Sequence, residues 1–213
     1  MKGNYSEKTE YSPEMRIFDT GGNRLYLNQS ERERFLEAAK EESRENHVFC
    51  HTLHYTGCRP TEALELSASR VDLVDHAIVF RSLKKRRYDN QGRKKKPAFR
   101  SVAVPERLID DLDLVFDLRT RTKDKSRRVE PLWSMGRQTA WRVVGRVMAR
   151  AGIVGPQATS KGLRHAFGVS CVMSGMPLHK IAQWLGHTDT KTTEIYTTII
   201  EEEDRGMLMR VWE

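Results

Sequence analysis

Five side chains suited to phosphate chemistry lie in three short segments of this 213-residue chain. They are two arginines, two histidines and a tyrosine: Arg59, Arg164, His165, His187 and Tyr196. Two guanidinium groups can hold the non-bridging oxygens of one phosphate through paired hydrogen bonds, which lysine cannot reproduce. A tyrosine phenol, with an ordinary pKa of about 10, can attack phosphorus if its developing charge is stabilised. Because a phosphotyrosine ester conserves the energy of the broken phosphodiester, the pattern favours cutting and rejoining without ATP.

Other catalytic patterns are missing from the sequence. Gly21-Gly22 lacks the lysine and the preceding strand of a P-loop, and no Gly-x-Ser-x-Gly segment is present. One predicted helix carries several metal-ligating side chains, namely His47, Cys50, His51 and His54. A zinc hydrolase helix would also need a glutamate beside its first histidine, where this chain has Val48. We therefore interpret these four as packing or surface residues and expect neither a metal nor a nucleotide cofactor.

The elements that must position the five residues are predicted from hydrophobic periodicity, caps and breakers. Helices are expected over residues 47–55, 60–66, 138–151, 160–174 and 178–185. Further helices are expected to begin at residue 30, at residue 105 and at residue 190, the last of them including Tyr196. Strands are expected over 71–73, 77–80 and 101–104, with a long basic loop joining the last two as a hairpin. Ser30 and Ser160 are the expected helix caps, and Gly57 is the expected end of the second helix. The predicted fold class is α+β, mainly helical with one small antiparallel sheet.

One folded unit is expected. Residues 1–28 lack periodicity and are predicted to form a loosely ordered arm. Residues 29–200 are predicted to form a single catalytic domain, and residues 201–213 a tail that can dock as a helix. No internal repeat is present in the sequence.

Positive charge is concentrated in a few segments of the chain. The net charge is +8 and the pI is about 9.5. Residues 81–100 carry ten basic residues against Asp89, and residues 119–128 carry six against Asp124. Such clusters are typical of a protein that binds a polyanion, although a single charged run is often only solvated. Charge alone does not choose between DNA, RNA and an anionic membrane surface.

Several protein classes are excluded by composition. No apolar run approaches the roughly 18–20 residues of a membrane-spanning helix. The N-terminal residues have no apolar core, so no secretory signal is expected. Cys50, Cys58 and Cys171 are few and widely spaced, which argues against a disulfide framework and favours the reducing cytoplasm.

Three segments together resemble the catalytic domain of the tyrosine recombinases, the phage-integrase family, over about residues 27–200. Thr-Gly-Cys-Arg59-Pro-Thr-Glu62-Ala-Leu-Glu-Leu resembles the first arginine box of that family. Gly-Leu-Arg164-His165-Ala-Phe resembles the second, and Leu-Gly-His187 followed by Thr-Thr-Glu-Ile-Tyr196 resembles the third. The order and spacing of the three boxes match, and their combination is highly specific.

The resemblance implies a role for each matched residue. Arg59 and Arg164 would hold the scissile phosphate and stabilise its growing charge. Tyr196 would attack phosphorus, giving a 3′-phosphotyrosyl DNA and a free 5′-hydroxyl, while His187 would hydrogen-bond the phosphate. The family also uses a lysine after the second strand as general acid, and Lys84 is the expected residue here, with Lys85 close behind.

The chain departs from the family pattern in two places. Lys161 stands where the second box usually begins with histidine. A lysine that is charged at neutral pH is a poor general base, so Lys161 is assigned to phosphate binding and His165 to a structural or orienting role. Residues 1–28 are also too few for the family's N-terminal DNA clamp. We therefore expect either a minimal recombinase or a domain that borrows its clamp from a partner protein.

Double-stranded DNA is the partner that the resemblance implies. The expected DNA contacts are Lys85, Arg86, Arg87, Arg93, Lys94, Lys95, Lys96, Arg142 and Arg146. Four protomers would assemble on two duplexes, from a monomer or weak oligomer in the absence of DNA. The tail would dock on a neighbour or fold back on its own domain.

Two other activities remain open from the sequence. One is a nicking-closing enzyme similar to the type IB topoisomerases, which uses similar residues without bringing two duplexes together. The other is a DNA-binding module without cutting activity. The complete set of Arg59, Arg164, His187 and Tyr196 argues against the second.

Overall fold

The computed structural model describes residues 16–82, 97–187 and 191–197 of the chain. The helices, in chain order, are α1 (Gln29–Ala39), α2 (Arg44–Thr56), α3 (Pro60–Leu64), α4 (Glu106–Phe116), α5 (Leu118–Arg121), α6 (Arg137–Arg150), α7 (Ser160–Met173), α8 (Leu178–Leu185) and α9 (Lys191–Glu194). The strands are β1 (Val71–Asp72), β2 (Ala77–Arg81) and β3 (Phe99–Ala103). These elements confirm the predicted α+β class, mainly helical with a small antiparallel sheet.

The sheet is antiparallel with the order β1-β2-β3. Ile78 lies opposite Val102 and Phe80 lies opposite Arg100, and all four side chains are buried on the same face. The hairpin between β2 and β3 is therefore confirmed at its base. Its basic loop, including the predicted general acid Lys84, lies outside the described residues.

Two helices begin at a different cap from the predicted one. Asn28 caps α1 through a reciprocal pair of hydrogen bonds with Glu31, and Ser30 lies inside the helix. Thr159 caps α7 by accepting a hydrogen bond from the backbone N–H of Gly162, so Ser160 is the first helical residue. Several short polar residues stand side by side at both places, and each type can cap a helix. The predicted end of α2 is confirmed, because Gly57 adopts a left-handed conformation with φ of 58°.

Residues 16–28 pack against the helices, unlike the loosely ordered arm expected for residues 1–28. Phe18 and Arg24 form an isolated antiparallel bridge, and Ile17 and Tyr26 are buried. Tyr26 and Ile17 share a hydrophobic cluster with Ile181 on α8. Apolar side chains outside the periodic segments therefore extend the core, which periodicity alone does not reveal.

Helix α2 lies at the centre of the main hydrophobic core. Phe49, Cys50 and Leu53 are fully buried, and α2 contacts α1, α4 and α7. This central position brings the end of α2, with the turn that leads into α3, beside α7. The first and second arginine boxes thereby become neighbours in space.

Candidate active site

One pocket of about 400 Å³ gathers side chains from all three segments that resemble the recombinase boxes. Its lining consists of Arg59, Pro60, Thr61, Arg137, Trp141, Ser160, Lys161, Arg164, His165, His187 and Tyr196. Five of the six residues predicted to be catalytic therefore share one cavity, and Lys84 lies outside the described residues. The combination of guanidinium groups, imidazoles and a phenol in a small concave site is suited to a phosphodiester.

Arg59 stands at the start of α3, directly before Pro60. Its backbone N–H donates to Glu62 Oε2 at 2.9 Å, and its guanidinium Nη1 donates to Glu62 Oε1 at 3.1 Å. The side chain remains 24% exposed, whereas that of Glu62 is fully buried. Arg59 is thus anchored at one edge and open to the pocket at the other.

Arg164 is a buried cation that joins two distant parts of the backbone. Its guanidinium donates to the carbonyl oxygen of Gly57 at 2.7 Å and to that of Leu185 at 2.5 Å. Burial and the nearby Arg59 lower the pKa of Arg164 to about 10. The group still carries its charge at neutral pH, and its hydrogen bonds hold it rigidly in the pocket wall.

Tyr196 is fully buried and lies two residues after the end of α9, not within the helix predicted from residue 190. Its Oη lies 3.1 Å from His165 Nδ1. Burial raises the pKa of Tyr196 to about 12, although Arg164 and Arg59 act in the opposite direction. The hydroxyl therefore keeps its proton in the free protein. To act as a nucleophile, the tyrosine must therefore lose this proton when a substrate is bound.

Gly168 makes the space that the Tyr196 ring occupies. A Cβ atom at position 168 would lie 2.5 Å from Tyr196 Cζ. Real Cβ atoms do not approach a ring so closely, so a larger residue would displace the tyrosine. The glycine four residues after Arg164 thus fixes the distance between α7 and the tyrosine.

His187 is positioned by the end of α8, where Gly186 adopts a left-handed conformation with φ of 66°. Its Nδ1 lies 2.9 Å from the Thr193 hydroxyl, and its ring is nearly parallel to that of Tyr196 with centroids 6.5 Å apart. Burial and Arg164 lower the pKa of His187 to about 3. The imidazole is therefore neutral at physiological pH and can donate one hydrogen bond to a phosphate.

Comparison with known proteins shows the family of the chain. A model of the phage integrase family matches residues 25–203. The chain belongs to this family. It is 30% identical over 162 residues to tyrosine recombinase XerD from Brucella abortus biovar 1 (strain 9-941), covering 73% of this chain and 48% of that protein. It is 26% identical over 185 residues to tyrosine recombinase XerA from Thermococcus kodakarensis (strain ATCC BAA-918 / JCM 12380 / KOD1), covering 84% and 60%.

Solved structures show the same fold. The crystal structure of XerA recombinase superposes with a TM-score of 0.68 at 29% identity, covering 87% of this chain and 64% of that chain. The catalytic domain of bacteriophage HP1 integrase superposes with a TM-score of 0.57 at 22% identity, covering 82% and 87%. The fold of this integrase-family chain is therefore that of a catalytic domain. The chain spans about half the length of the XerD proteins it matches.

His165 contacts the integrase tyrosine directly, as the Oη–Nδ1 distance shows. Burial, Lys161 and Arg164 lower the pKa of His165 to about 3, so its ring is neutral. Its Nε2 is buried and has no hydrogen-bond partner among the described residues. Lys161, at the position usually held by histidine, is exposed and lines the same pocket. The structure thus supports an orienting role for His165.

Two residues that support the integrase site were missed in the sequence. Arg100 is 5% exposed and pairs with buried Glu62 through Nη2 and Oε2 at 2.6 Å. Arg100 lies two residues before the buried Val102 on β3, so strand alternation places it on the inward face. A buried arginine on the inward face of a strand needs an acidic or polar partner. The alternation of residues along β3 could therefore have identified Arg100 from the sequence.

The predicted DNA contacts on α6 separate into two kinds. Arg142 is exposed and lines a neighbouring surface pocket with Arg137 and Trp141, two residues that also line the candidate site. Arg146 is half-exposed and pairs with Glu42 at 2.7 Å, a carboxylate that also pairs with Arg150 at 3.1 Å, so its charge is partly compensated. The other predicted contacts, Lys85, Arg86, Arg87, Arg93, Lys94, Lys95 and Lys96, lie outside the described residues.

Two further properties concern the described part of the integrase chain. Within it, no helix has the length and apolar character needed to cross a membrane.

His47 and His51 contact each other through their Nε2 atoms at 3.1 Å. No group of three or more His, Cys, Asp or Glu residues among residues 16–82, 97–187 and 191–197 could hold a metal ion.

Proposed function

We propose that this chain is a site-specific recombinase that cuts and rejoins DNA through a 3′-phosphotyrosyl intermediate, in the integration, excision or resolution of mobile DNA. The observation that carries the proposal is the convergence of two arginines, a neutral histidine and a buried tyrosine on one pocket. Arg59 lies more than a hundred positions before Arg164, His187 and Tyr196 in the chain, and the fold brings all four to the same pocket. Cytoplasmic action on double-stranded DNA is part of the same proposal.

In the proposed mechanism, Tyr196 loses its proton and attacks once the scissile phosphate is bound. Arg59 and Arg164 hold the two non-bridging oxygens, and His187 donates a further hydrogen bond. The Tyr196 oxygen forms a bond to phosphorus while the bond from phosphorus to the 5′-oxygen breaks. The tyrosine proton passes to water, while His165, whose Nδ1 lies 3.1 Å from the tyrosine Oη, orients the hydroxyl. The leaving 5′-oxygen takes a proton from Lys84.

The DNA duplex lies, in this proposal, across the face that surrounds the pocket. Trp141 is 70% exposed there and is flanked by the exposed Arg137 and Arg142. Arginines supply phosphate contacts, and an aromatic ring can pack on the sugars or bases beside them. Four protomers on two duplexes complete the proposed assembly.

Covalent trapping tests the proposal directly. The protein is incubated with a pool of duplexes that are nicked beside a randomised sequence, so that the cut strand diffuses away and rejoining fails. We expect a protein–DNA adduct that survives denaturation and is linked to the 3′-phosphate end created by the cut. Sequencing of the trapped DNA then defines the preferred site, and the absence of any adduct from the whole pool contradicts the proposal.

A second assay separates recombination from simple nicking and closing. A supercoiled plasmid carrying two copies of the selected site is incubated with the protein. Exchange between the copies gives recombinant circles, which a recombinase produces. Relaxation without recombinant circles is the outcome expected of an enzyme similar to the type IB topoisomerases.

Gly168→Ala should slow cleavage by roughly 10- to 100-fold, because small displacements of a reacting group cost that much. The new methyl group would lie 2.5 Å from the Tyr196 ring, so the ring would have to shift from its position in the pocket wall. Gly145→Ala is the matched control, since it is also inside a helix but has no atom within 4 Å of its new methyl group. The rate of adduct formation is measured for both, and equal rates would show that α7 does not set the tyrosine position.

Arg142→Gln should weaken DNA binding and reduce the slope of log affinity against log salt by about 1, the value for one lost phosphate contact. Arg142 is exposed in the surface pocket that shares Arg137 and Trp141 with the candidate site. Arg146→Gln is the control on the same helix, and its effect on the slope should be smaller because Glu42 already compensates that charge. Binding isotherms at several salt concentrations check both, and similar slopes for the two variants would contradict this prediction.

A further inference from the structure

Arg100 is a buried cation that the reaction described above does not use. All three nitrogen positions of its guanidinium have partners. Nη1 and Nη2 donate to Glu62 Oε1 and Oε2 at 3.2 and 2.6 Å, and Nε donates to the Trp184 carbonyl oxygen at 2.7 Å. Its side chain is 3% exposed, so the group cannot itself reach a DNA phosphate. Its effect on the reaction must pass through the residues it holds.

Glu62 is shared between Arg100 and Arg59. The same carboxylate accepts hydrogen bonds from the Arg59 backbone N–H at 2.9 Å and from Arg59 Nη1 at 3.1 Å. Burial acts to raise the pKa of Glu62, but the hydrogen bonds and charges of Arg100 and Arg59 outweigh it and leave the pKa below its ordinary value. The carboxylate is therefore charged, and its shortest hydrogen bond goes to Arg100.

The net charge of Arg59, Glu62 and Arg100 decides how much positive charge Arg59 can offer to a substrate phosphate. Two guanidinium groups and one carboxylate sum to one positive charge, and that charge faces the pocket because Arg59 is the exposed member. Without Arg100, Glu62 and Arg59 would sum to zero. A buried carboxylate with a single cationic neighbour would also draw that neighbour into a two-pronged pair.

We infer that Arg100 is a positioning residue that occupies Glu62 so that the Arg59 guanidinium stays available to the scissile phosphate. This inference rests on the proposed function. The contact of Arg100 with the Trp184 carbonyl adds a link to the end of α8, three residues before His187. A Cβ atom at Gly186 would lie 3.0 Å from Arg100 Nη1, so the two are closely packed. One guanidinium thus ties β3 to the segments that carry Arg59 and His187.

Arg100→Met tests the inference, because methionine fills much of the same space without charge. On an ordinary nicked duplex we expect roughly 30- to 100-fold slower adduct formation, since one preorganised cation is withdrawn from the transition state. A duplex with methylphosphonate at the scissile position is neutral there, because a methyl group replaces one non-bridging oxygen, and it needs less help from Arg59. On that substrate Arg100→Met should cut within about threefold of the unmodified protein.

The double variant Arg100→Met/Glu62→Gln supplies an independent measurement. It removes the carboxylate that would capture Arg59, so we expect it to recover at least about tenfold of the lost rate on the ordinary duplex. Arg100→Lys, which retains the charge but not the paired geometry, should lie between Arg100→Met and the unmodified protein. Thermal unfolding of each variant gives the folded fraction to which its rate is normalised.

The outcomes separate the inference from the proposed function. Equal loss on both substrates, with no recovery in the double variant, would show that Arg100 only holds the fold together and would overturn the inference. If Arg100→Met does not fold, the double variant and Arg100→Lys still decide the question on the two substrates. Failure of the unmodified protein to form an adduct on either substrate would instead overturn the proposed function.

Discussion

Tyr196→Phe should abolish covalent attachment to DNA, with a loss of at least about 10⁴-fold, because removal of a nucleophile leaves no group able to form the intermediate. The ring would keep its place, since it packs in a closed space between Gly168 and the hydrophobic side chains of α7 and α8. Only the hydroxyl and its contact with His165 are lost. The measurement is adduct formation on the selected nicked duplex, followed by a denaturing gel.

DNA binding should be almost unchanged in this variant, because the phosphate is held by arginines and not by the phenol. Gel shift with the same duplex should give an affinity within about threefold of the unmodified protein. We expect a cost to folding of about 1 kcal/mol, the usual value of one net hydrogen bond. Tyr55→Phe is the control: it removes a phenol hydroxyl from a different pocket, which Tyr55 lines together with His54, and should cut normally. An adduct that persists in Tyr196→Phe would remove this tyrosine from the mechanism.

Local sequence chemistry predicted most of the helix and strand boundaries of this fold. Glycines such as Gly57 and Gly186 end helices because only a residue without Cβ adopts the left-handed turn cheaply. Arg59 follows the turn at Gly57 and His187 follows the turn at Gly186. The positions of these two residues relative to the helix ends could therefore be predicted from the sequence. Caps were misplaced by one or two residues where short polar side chains are adjacent, as at Asn28 and Thr159.

Contacts between distant segments could not be predicted in the same way. Arg164 bonds to carbonyl oxygens 107 and 21 residues away, and Arg100 bonds to a carboxylate 38 residues away. Nothing in a local pattern says which buried arginine faces substrate and which faces a structural carboxylate. The burial of Tyr196 also depends on packing from residues 16–28, a segment without periodicity. These features arise from tertiary contacts between distant segments, which local patterns in a single sequence do not predict.

Arg164→Lys should reduce cleavage by about 10²- to 10³-fold, the usual cost of losing a fixed donor to a developing charge. The guanidinium donates to the carbonyl oxygens of Gly57 and Leu185 and is aimed into the pocket at the same time. A lysine ammonium cannot keep this planar geometry. Each buried carbonyl oxygen left without its donor should lower the free energy of unfolding by about 1–3 kcal/mol. Adduct formation and chemical denaturation measure the two effects.

The pH dependence of the same variant distinguishes lost charge from lost geometry. The burial and the nearby Arg59 that lower the pKa of Arg164 to about 10 would also lower that of a lysine placed there, from a lower starting value. The lysine is charged below its pKa, so residual activity relative to the unmodified protein should be greatest near pH 6.5 and should fall as pH rises to 9. Arg34→Lys is the matched control, because Arg34 donates to the Ala151 carbonyl oxygen far from the pocket. It should cut normally at every pH, and a rate ratio for Arg164→Lys that does not change with pH would mean that the position needs the shape of arginine and not its charge.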